Sequence, residues 1–414
     1  MPGPGVYNIH TVIDKDIHSF KRKVISQGLT DRCMREFEPS LNAHIDKFIQ
    51  NLAEISRETF PAGPQSWSTP INMTQWCQWL AYDVMGQFGF GQSFEMQDKP
   101  DNHFLIRGIA ASNRRANIYA QFPDLKKTRI DTLLYPWANQ MRQRFLSLTT
   151  RIVQDRLRAE VHSQHDLFSF IFHAKDPDVG RGFSNQELWS ETRFLLVAGT
   201  DTTSNVMAAL FYYLSQYPEC YEKLADEVRG SFRTSTEICS GPAMAQCTYL
   251  RACIDEALRM SPPVGGALWR EVREGGLVVD GQFVPEGYDV GCSIYCLHHN
   301  EECYPNSFVF NPDRWIVSET NSREAVERAR QAFVPFSVGT RSCAGRNFAY
   351  MEVSNTIAQV LWRFDFKAAN KTLQHQEGVW GKFGVKGRRD KAEFPTQDQI
   401  TSVHDGPYLK FRPR

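Results

Sequence analysis

The sequence predicts a mainly α-helical chain with a minor β component, folded as one domain over residues 1–414. Three observations predict it. Helical periodicity recurs through the first two thirds of the chain. One helical stretch near the middle has a start signature and no stop signal from Ser184 to Pro218. Turn-punctuated apolar runs fall mainly in the last third, and no repeat, low-complexity tract or linker divides the chain.

Each element follows from its own residues. Residues 31–57 carry helical spacing, and Pro39 is expected to break it. A second helix is predicted at 75–88, ending among Gly86, Gly89 and Gly91, and a third at 135–158, before the loop KDPDVGRGF at 175–183. Ser184-Asn185-Gln186-Glu187 is a capping box. The helix it opens should reach Pro218, roughly 50 Å at 1.5 Å per residue. After Pro262 the character changes. LVVDGQFVPEG (277–287) places Asp-Gly between short apolar runs and reads as a hairpin. A further helix is predicted at 344–364, with short strands near Ile400 and at 408–411.

Composition excludes several function classes. Equal numbers of basic and acidic residues, 47 each, leave no basic excess for nucleic acid. No apolar window is expected to span a membrane, and MPGPGVYNIHTVID lacks the basic start and apolar stretch of a signal peptide. The ten cysteines contain no CxxC pair, so reduced, mostly buried thiols are expected.

One cysteine differs from the rest. In FVPFSVGTRSCAGRNFAYMEV (333–353), Cys343 lies between Gly339 and Gly345, with Arg341 two residues before it, Phe336 seven before, and a helix starting just behind. Helix-start N–H groups and a neighbouring Arg favour a thiolate. Glycines let a backbone approach a flat partner. A thiolate held this way is a strong axial ligand for haem iron.

The segment matches F-x-x-G-x-R-x-C-x-G, and so resembles the haem-binding signature of the cytochrome P450 family. Three other segments resemble family motifs in the same order: Ala198-Gly199-Thr200-Asp201-Thr202 the oxygen-binding motif of the long central helix, Glu256-Ala257-Leu258-Arg259 the E-x-x-R motif, and Asn311-Pro312-Asp313-Arg314-Trp315 the segment whose Arg completes a salt-bridge cluster. The resemblance implies a cytochrome P450-like fold with small β-sheets, haem b as cofactor, Cys343 as the iron ligand, and a monooxygenase that inserts one atom of O2 into a small lipophilic substrate. No nicotinamide or flavin motif is present, so electrons are expected from an NADPH-dependent cytochrome P450 reductase. Lys21, Lys23 and Arg346 are candidate docking cations.

Ala198, Gly199 and Thr202 are spaced to share a helix face. Small residues there would leave room above a macrocycle, Thr202 would offer a hydroxyl, and Asp201 would carry protons inward. The weak helix formers suggest a local opening that admits water. The alternative is a structural Thr bonded back to a carbonyl one turn earlier. Haem propionates need basic partners. Arg341 is the best placed, Arg270 matches a family position, and His18 with Arg22 matches W-x-x-x-R with His in place of Trp. Glu256, Arg259 and Arg314 read as structural. Val264, Ala267, Leu268, Leu195 and Phe194 are candidate pocket residues.

The wider sequence resembles filamentous-fungal members that oxidise secondary metabolites such as terpenoids, polyketides and alkaloids. Eukaryotic members carry a membrane anchor, helices and strands before the region of His18 and Arg22, which this chain lacks. Either a truncated product or gene model, or a stripped variant with a more open pocket, is expected, located in the cytoplasm or peripherally on the endoplasmic reticulum with no transmembrane segment. Three rivals stand: a zinc module at Cys292, Cys296, His298, His299 and Cys303; a non-oxygenating haem enzyme of the same fold, such as an isomerase or dehydratase, disfavoured by the intact Asp201 and Thr202; and an inactive remnant.

Overall fold

A computed structural model describes residues 6–58, 67–122, 124–128, 136–158, 166–178, 180–369 and 392–414. The helices are α1 (Lys15–Gln27), α2 (Asp31–Glu58), α3 (Met73–Phe90), α4 (Phe104–Gln121), α5 (Leu125–Thr128), α6 (Pro136–Arg158), α7 (Leu167–His173), α8 (Asn185–Gln216), α9 (Pro218–Ser231), α10 (Pro242–Gln246), α11 (Thr248–Met260), α12 (Ile294–His298), α13 (Arg323–Ala332) and α14 (Arg346–Arg363). Tyr135, the first residue of the third predicted helix, lies outside the described residues.

The β component is small and antiparallel. Strands β1 (Ile71–Asn72), β9 (Tyr408–Pro413) and β6 (Phe364–Ala368) form one sheet in that order, with Ile71 opposite Leu409 and Phe366 opposite Phe411. Among the described residues three two-stranded pairs accompany it: β2 (Arg270–Glu271) with β5 (Asp289–Val290), β3 (Leu277–Val279) with β4 (Gln282–Val284), and β7 (Thr396–Gln399) with β8 (Thr401–His404). The Asp280-Gly281 turn of the predicted hairpin has both residues at positive φ, 49° and 74°. That backbone twist suits a two-residue hairpin connection.

The central helix α8 begins as the sequence predicts. Ser184 Oγ accepts from Glu187 N at 3.3 Å, and Glu187 Oε2 accepts from Ser184 N at 2.9 Å. Its middle and end are wrapped by α3, α11 and α14, which share with it one apolar core that includes Leu80, Val84, Phe211, Ala257 and Ile357. By length and composition α8 does reach what a membrane crossing needs, against the expectation from sequence, but 61% of that window is buried inside the fold.

Two expectations are corrected. Helix α2 runs through Pro39 without a break. Leu41, Ile45, Phe48 and Leu52 after it, and Met34 and Phe37 before it, are all buried on one stripe. Burying a side chain of this size contributes about 1.5–3 kcal/mol each, and together they outweigh the roughly 3 kcal/mol an internal Pro costs. The central helix also stays α-helical from Gly199 to Asn205. The hydroxyls of Thr200 and Thr202 donate to Leu196 O and Ala198 O, 2.9 and 2.7 Å away. They bond back to the ladder without opening it.

Candidate active site

The loop around Cys343 is built by its own residues. Cys343 N donates to Phe336 O at 2.8 Å, Ser342 N to Gly339 O at 3.1 Å, and Gly345 is the N-cap of α14. The turn needs left-handed backbone at Ser337 (φ 57°) and Gly339 (φ 73°), which explains the glycine at 339. A Cβ built on Gly339 or Gly345 would meet nothing within 4 Å, so the loop borders open space, and Cys343 is exposed to it. Burial of the loop as a whole still pushes the thiol up, against the Gly345 N–H and the charge of Arg22. The thiolate expected from sequence is therefore not favoured by the protein alone.

Basic groups gather beside this thiol. Arg22 reaches across from α1 and donates to Ser342 O at 2.5 Å. Arg341 donates to Val12 O at 2.6 Å and Ile13 O at 3.3 Å. Arg270 donates to Trp269 O at 2.9 Å and Leu268 O at 3.2 Å. Among the described residues none of these three guanidinium groups pairs with a carboxylate. His18, 6% exposed on α1, has its pKa lowered by burial, then by Arg341 and Arg22. His10 is lowered by burial, then by Arg270 and Arg341, and stacks on Phe194 of the central helix at 5.3 Å between ring centroids. Sequence reading missed His10, which lies in no motif.

Around the central-helix motif the structure divides the predicted residues. Thr202 Oγ1 donates to Ala198 O, the alternative raised from sequence. A Cβ on Gly199 would lie 2.5 Å from Met85 Sδ, so the missing side chain lets α3 pack close. Asp201 points toward other elements. Its Oδ2 accepts from Asn113 Nδ2 of α4 at 3.0 Å and from Thr401 Oγ1 of β8 at 3.4 Å. Burial pushes its carboxyl up to about 6 against those two hydrogen bonds and the Tyr82 hydroxyl nearby. Neither Asn113 nor Thr401 carries a sequence signal, because 88 and 200 positions separate them from Asp201.

Glu256, Arg259 and Arg314 do come together. Arg259 binds Glu256 through two bonds of 2.9 Å, and Arg314 Nε lies 3.4 Å from Glu256 Oε1. Arg259 Nη1 also donates to His298 O at 2.8 Å, and His298 Nε2 accepts from Val334 N at 3.0 Å. This links the cluster to the segment that enters the Cys343 loop. It also removes the zinc rival. His298 is fully buried and engaged, Cys292 and Cys296 face solvent, and no group of three metal-ligating side chains occurs among the described residues.

Lys21 corrects another expectation. It is 1% exposed and lies 3.0 Å from Glu191 and 3.5 Å from Glu187, so it offers nothing to a docking partner. Lys23 pairs with Asp178 at the surface, and Arg346 is exposed over the Phe336 and Tyr350 rings. Val264, Ala267 and Leu268 are half-buried, as are Phe194 and Leu195. Ser402 pins their segment by donating to Pro263 O and Pro262 O at 2.7 and 3.1 Å.

These features fit haem. An exposed thiol, two glycines whose built Cβ meets nothing within 4 Å, and three guanidinium groups that pair with no carboxylate among the described residues suit a flat ring that carries two propionates. The cytochrome P450 family model matches residues 10–393. A cytochrome P450 monooxygenase of Gibberella zeae is 37% identical over 98% of this chain and 92% of its own length. Cytochrome P450 monooxygenase apf7 of Gibberella fujikuroi is 35% identical over 99% of this chain and 78% of its own, and poxM of Penicillium oxalicum 37% identical over 98% and 74%. The crystal structure of the cytochrome P450DA heme domain shares the fold, with a TM-score of 0.74 and 18% identity over 97% of this chain and 78% of that one. The motif order, the matched fold and these relatives agree: this chain belongs to the cytochrome P450 family and is a haem-dependent monooxygenase.

Proposed function

We propose that Cys343 supplies the axial sulfur to haem iron in one haem-thiolate domain spanning residues 1–414, and that the substrate is a small lipophilic secondary metabolite of a filamentous fungus. One observation carries the reading: Arg22 acts on the exposed Cys343 thiol, Arg341 lies two residues before it with Arg270 near by, and none of the three pairs with a carboxylate among the described residues. Unscreened like charges at such a site repel one another, and two propionates would offset most of that charge. Arg22, Arg341 and Arg270, with His18, would hold those propionates. Gly339 and Gly345 would let the backbone approach a flat ring, and Phe336 closes the Cys343 loop through its carbonyl.

When bound, haem would supply O2 activation, which a cysteine sulfur ligand favours. The protein's own part is acid–base chemistry. Thr202 donates to Ala198 O, and rotation of its O–H would free the same proton for a group bound beside the helix. Asp201, with its carboxyl near 6, holds or releases a proton around neutrality, which is what a general acid needs. Electrons come from an NADPH-dependent reductase. The chain works in the cytoplasm or as a peripheral protein of the endoplasmic reticulum.

The test is spectroscopic. Chain reconstituted with haem, reduced and exposed to carbon monoxide should show the red-shifted band of a thiolate-ligated iron. Cys343→Ala should take up less haem and lack the band. Persistence of the band in Cys343→Ala would overturn the assignment.

A further inference from the structure

Asp201 is a carboxylate in the middle of a buried helix, and it is tied to two elements far away in sequence. Asn113 on α4 is 9% exposed, and Thr401 at the start of β8 is 8% exposed. Asn113 Nδ2 uses both of its protons here, donating to Asp201 Oδ2 at 3.0 Å and to Thr401 Oγ1 at 2.9 Å. Thr401 Oγ1 in turn donates to the same Asp201 oxygen at 3.4 Å. The three groups form a closed ring in which each hydrogen bond orients the next.

The hairpin that carries Thr401 is itself held. Asn205, one helical turn after Asp201, donates to Ser402 O at 2.8 Å. Ser402 holds the segment at Pro262 and Pro263. Ile400, between the two strands, has φ 72°, a strained setting for a β-branched residue. Position 401 is thus set by the central helix on one side and by the candidate pocket segment on the other.

The groups that face Asp201 are all neutral donors: Tyr82 from α3, Asn113 from α4 and Thr401 from β8. Tyr82 is fully buried, and its hydroxyl has no hydrogen bond of normal geometry. A cation at any of these positions would hold the carboxylate permanently ionised. Neutral donors favour the ionised form without removing its ability to take a proton near neutrality.

We propose that Asn113 and Thr401 are positioning residues for Asp201: their ring of hydrogen bonds fixes the orientation and proton affinity of the carboxylate, and couples both to the seating of α4 against the β7–β8 hairpin. The coupling to turnover rests on the proposed role of Asp201 as proton carrier. The ring itself does not.

The experiment uses the full chain loaded with haem. Protonation of Asp201 is read from its infrared carboxyl band, identified by its loss in Asp201→Asn. Asn113→Leu and Thr401→Val keep volume and remove the donors. Thr401→Ser restores a hydroxyl. Removing a hydrogen bond to the ionised form should make Asn113→Leu and Thr401→Val bind the proton about tenfold more tightly, while Thr401→Ser stays close to the native midpoint. An unmoved midpoint in the folded variants overturns the proposal, and Thr401→Val decides alone if Asn113→Leu does not fold. The same variants, supplied with a reductase and NADPH, should release a larger share of their electrons as hydrogen peroxide. If the midpoint moves and peroxide release does not, the positioning stands, and the coupling and the proton-carrier role of Asp201 both fall.

Discussion

Replacing Glu256 by Gln should unseat the fold behind Cys343. Glu256 is fully buried and accepts from Arg259 Nε and Nη2 at 2.9 Å, from Trp315 Nε1 and Asn311 N at 3.0 Å, and from Arg314 Nε at 3.4 Å. Glu256→Gln keeps the volume, removes the charge and turns one acceptor into a donor among groups that only donate. Arg259, also fully buried, keeps its charge with no counter-ion. Breaking a buried pair in this way costs about 3–5 kcal/mol. The effect reaches the site through Arg259, His298 and Val334, two residues before Phe336. Stability and haem uptake should therefore fall together.

The pH dependence has a definite sign. Burial alone would raise the Glu256 carboxyl, but Arg259, Arg314 and the Asn311 N–H more than offset it and hold it below its usual range. A depressed folded value contributes stability above the unfolded pKa, about 4.3, and loses it as pH falls through the folded value. The gap between native chain and Glu256→Gln should thus be full at pH 7 and shrink below about pH 4. Denaturant midpoints across that range, with haem titration at pH 7, measure both. A loss under about 1 kcal/mol at pH 7, small against the buried-pair range, with normal haem uptake, would refute the reasoning.

Two further outcomes follow from Gly199 and Lys21. Gly199→Ala should leave haem uptake unchanged, because its Cβ would press on Met85 Sδ, the flexible part of a side chain on α3. The gain in helix propensity, about 1 kcal/mol, roughly offsets a mild overpacking penalty of about 1–3 kcal/mol; lost haem binding in a stable variant would show that Gly199 faces the cofactor after all. Lys21→Met should lower the unfolding free energy, read from denaturant melts, by about 3–5 kcal/mol, since Glu191 is left fully buried with, among the described residues, only the Ile9 N–H as donor. Reductase affinity should be unaffected, and a weakened reductase complex in a stable Lys21→Met chain would restore the docking role.

Legibility in this sequence follows contact distance along the chain. The Cys343 loop was readable because ten consecutive residues build it: the Phe336 carbonyl, the left-handed Gly339, the thiol and the Gly345 cap all lie between 336 and 345. The start of α8 was readable for the same reason, since Ser184 and Glu187 cap one another. Arg22 was identified by family position only, and nothing local indicates that it reaches Ser342, 320 residues away. Pro39 misled because its local penalty is visible in sequence while the burial that overrides it is not.

By itself the sequence determined the helix-rich class, the central helix and its cap, the Asp-Gly hairpin and the cysteine loop, all products of hydrogen bonds between residues a few positions apart. Tertiary packing decided the rest. It turned Gly199 toward Met85, buried Lys21 against Glu191, sent Asp201 to Asn113 and Thr401, and carried Arg22 across to Ser342 in the Cys343 loop. The rotation of a helix about its own axis is set by what packs on every side of it, and those neighbours come from the whole length of the chain.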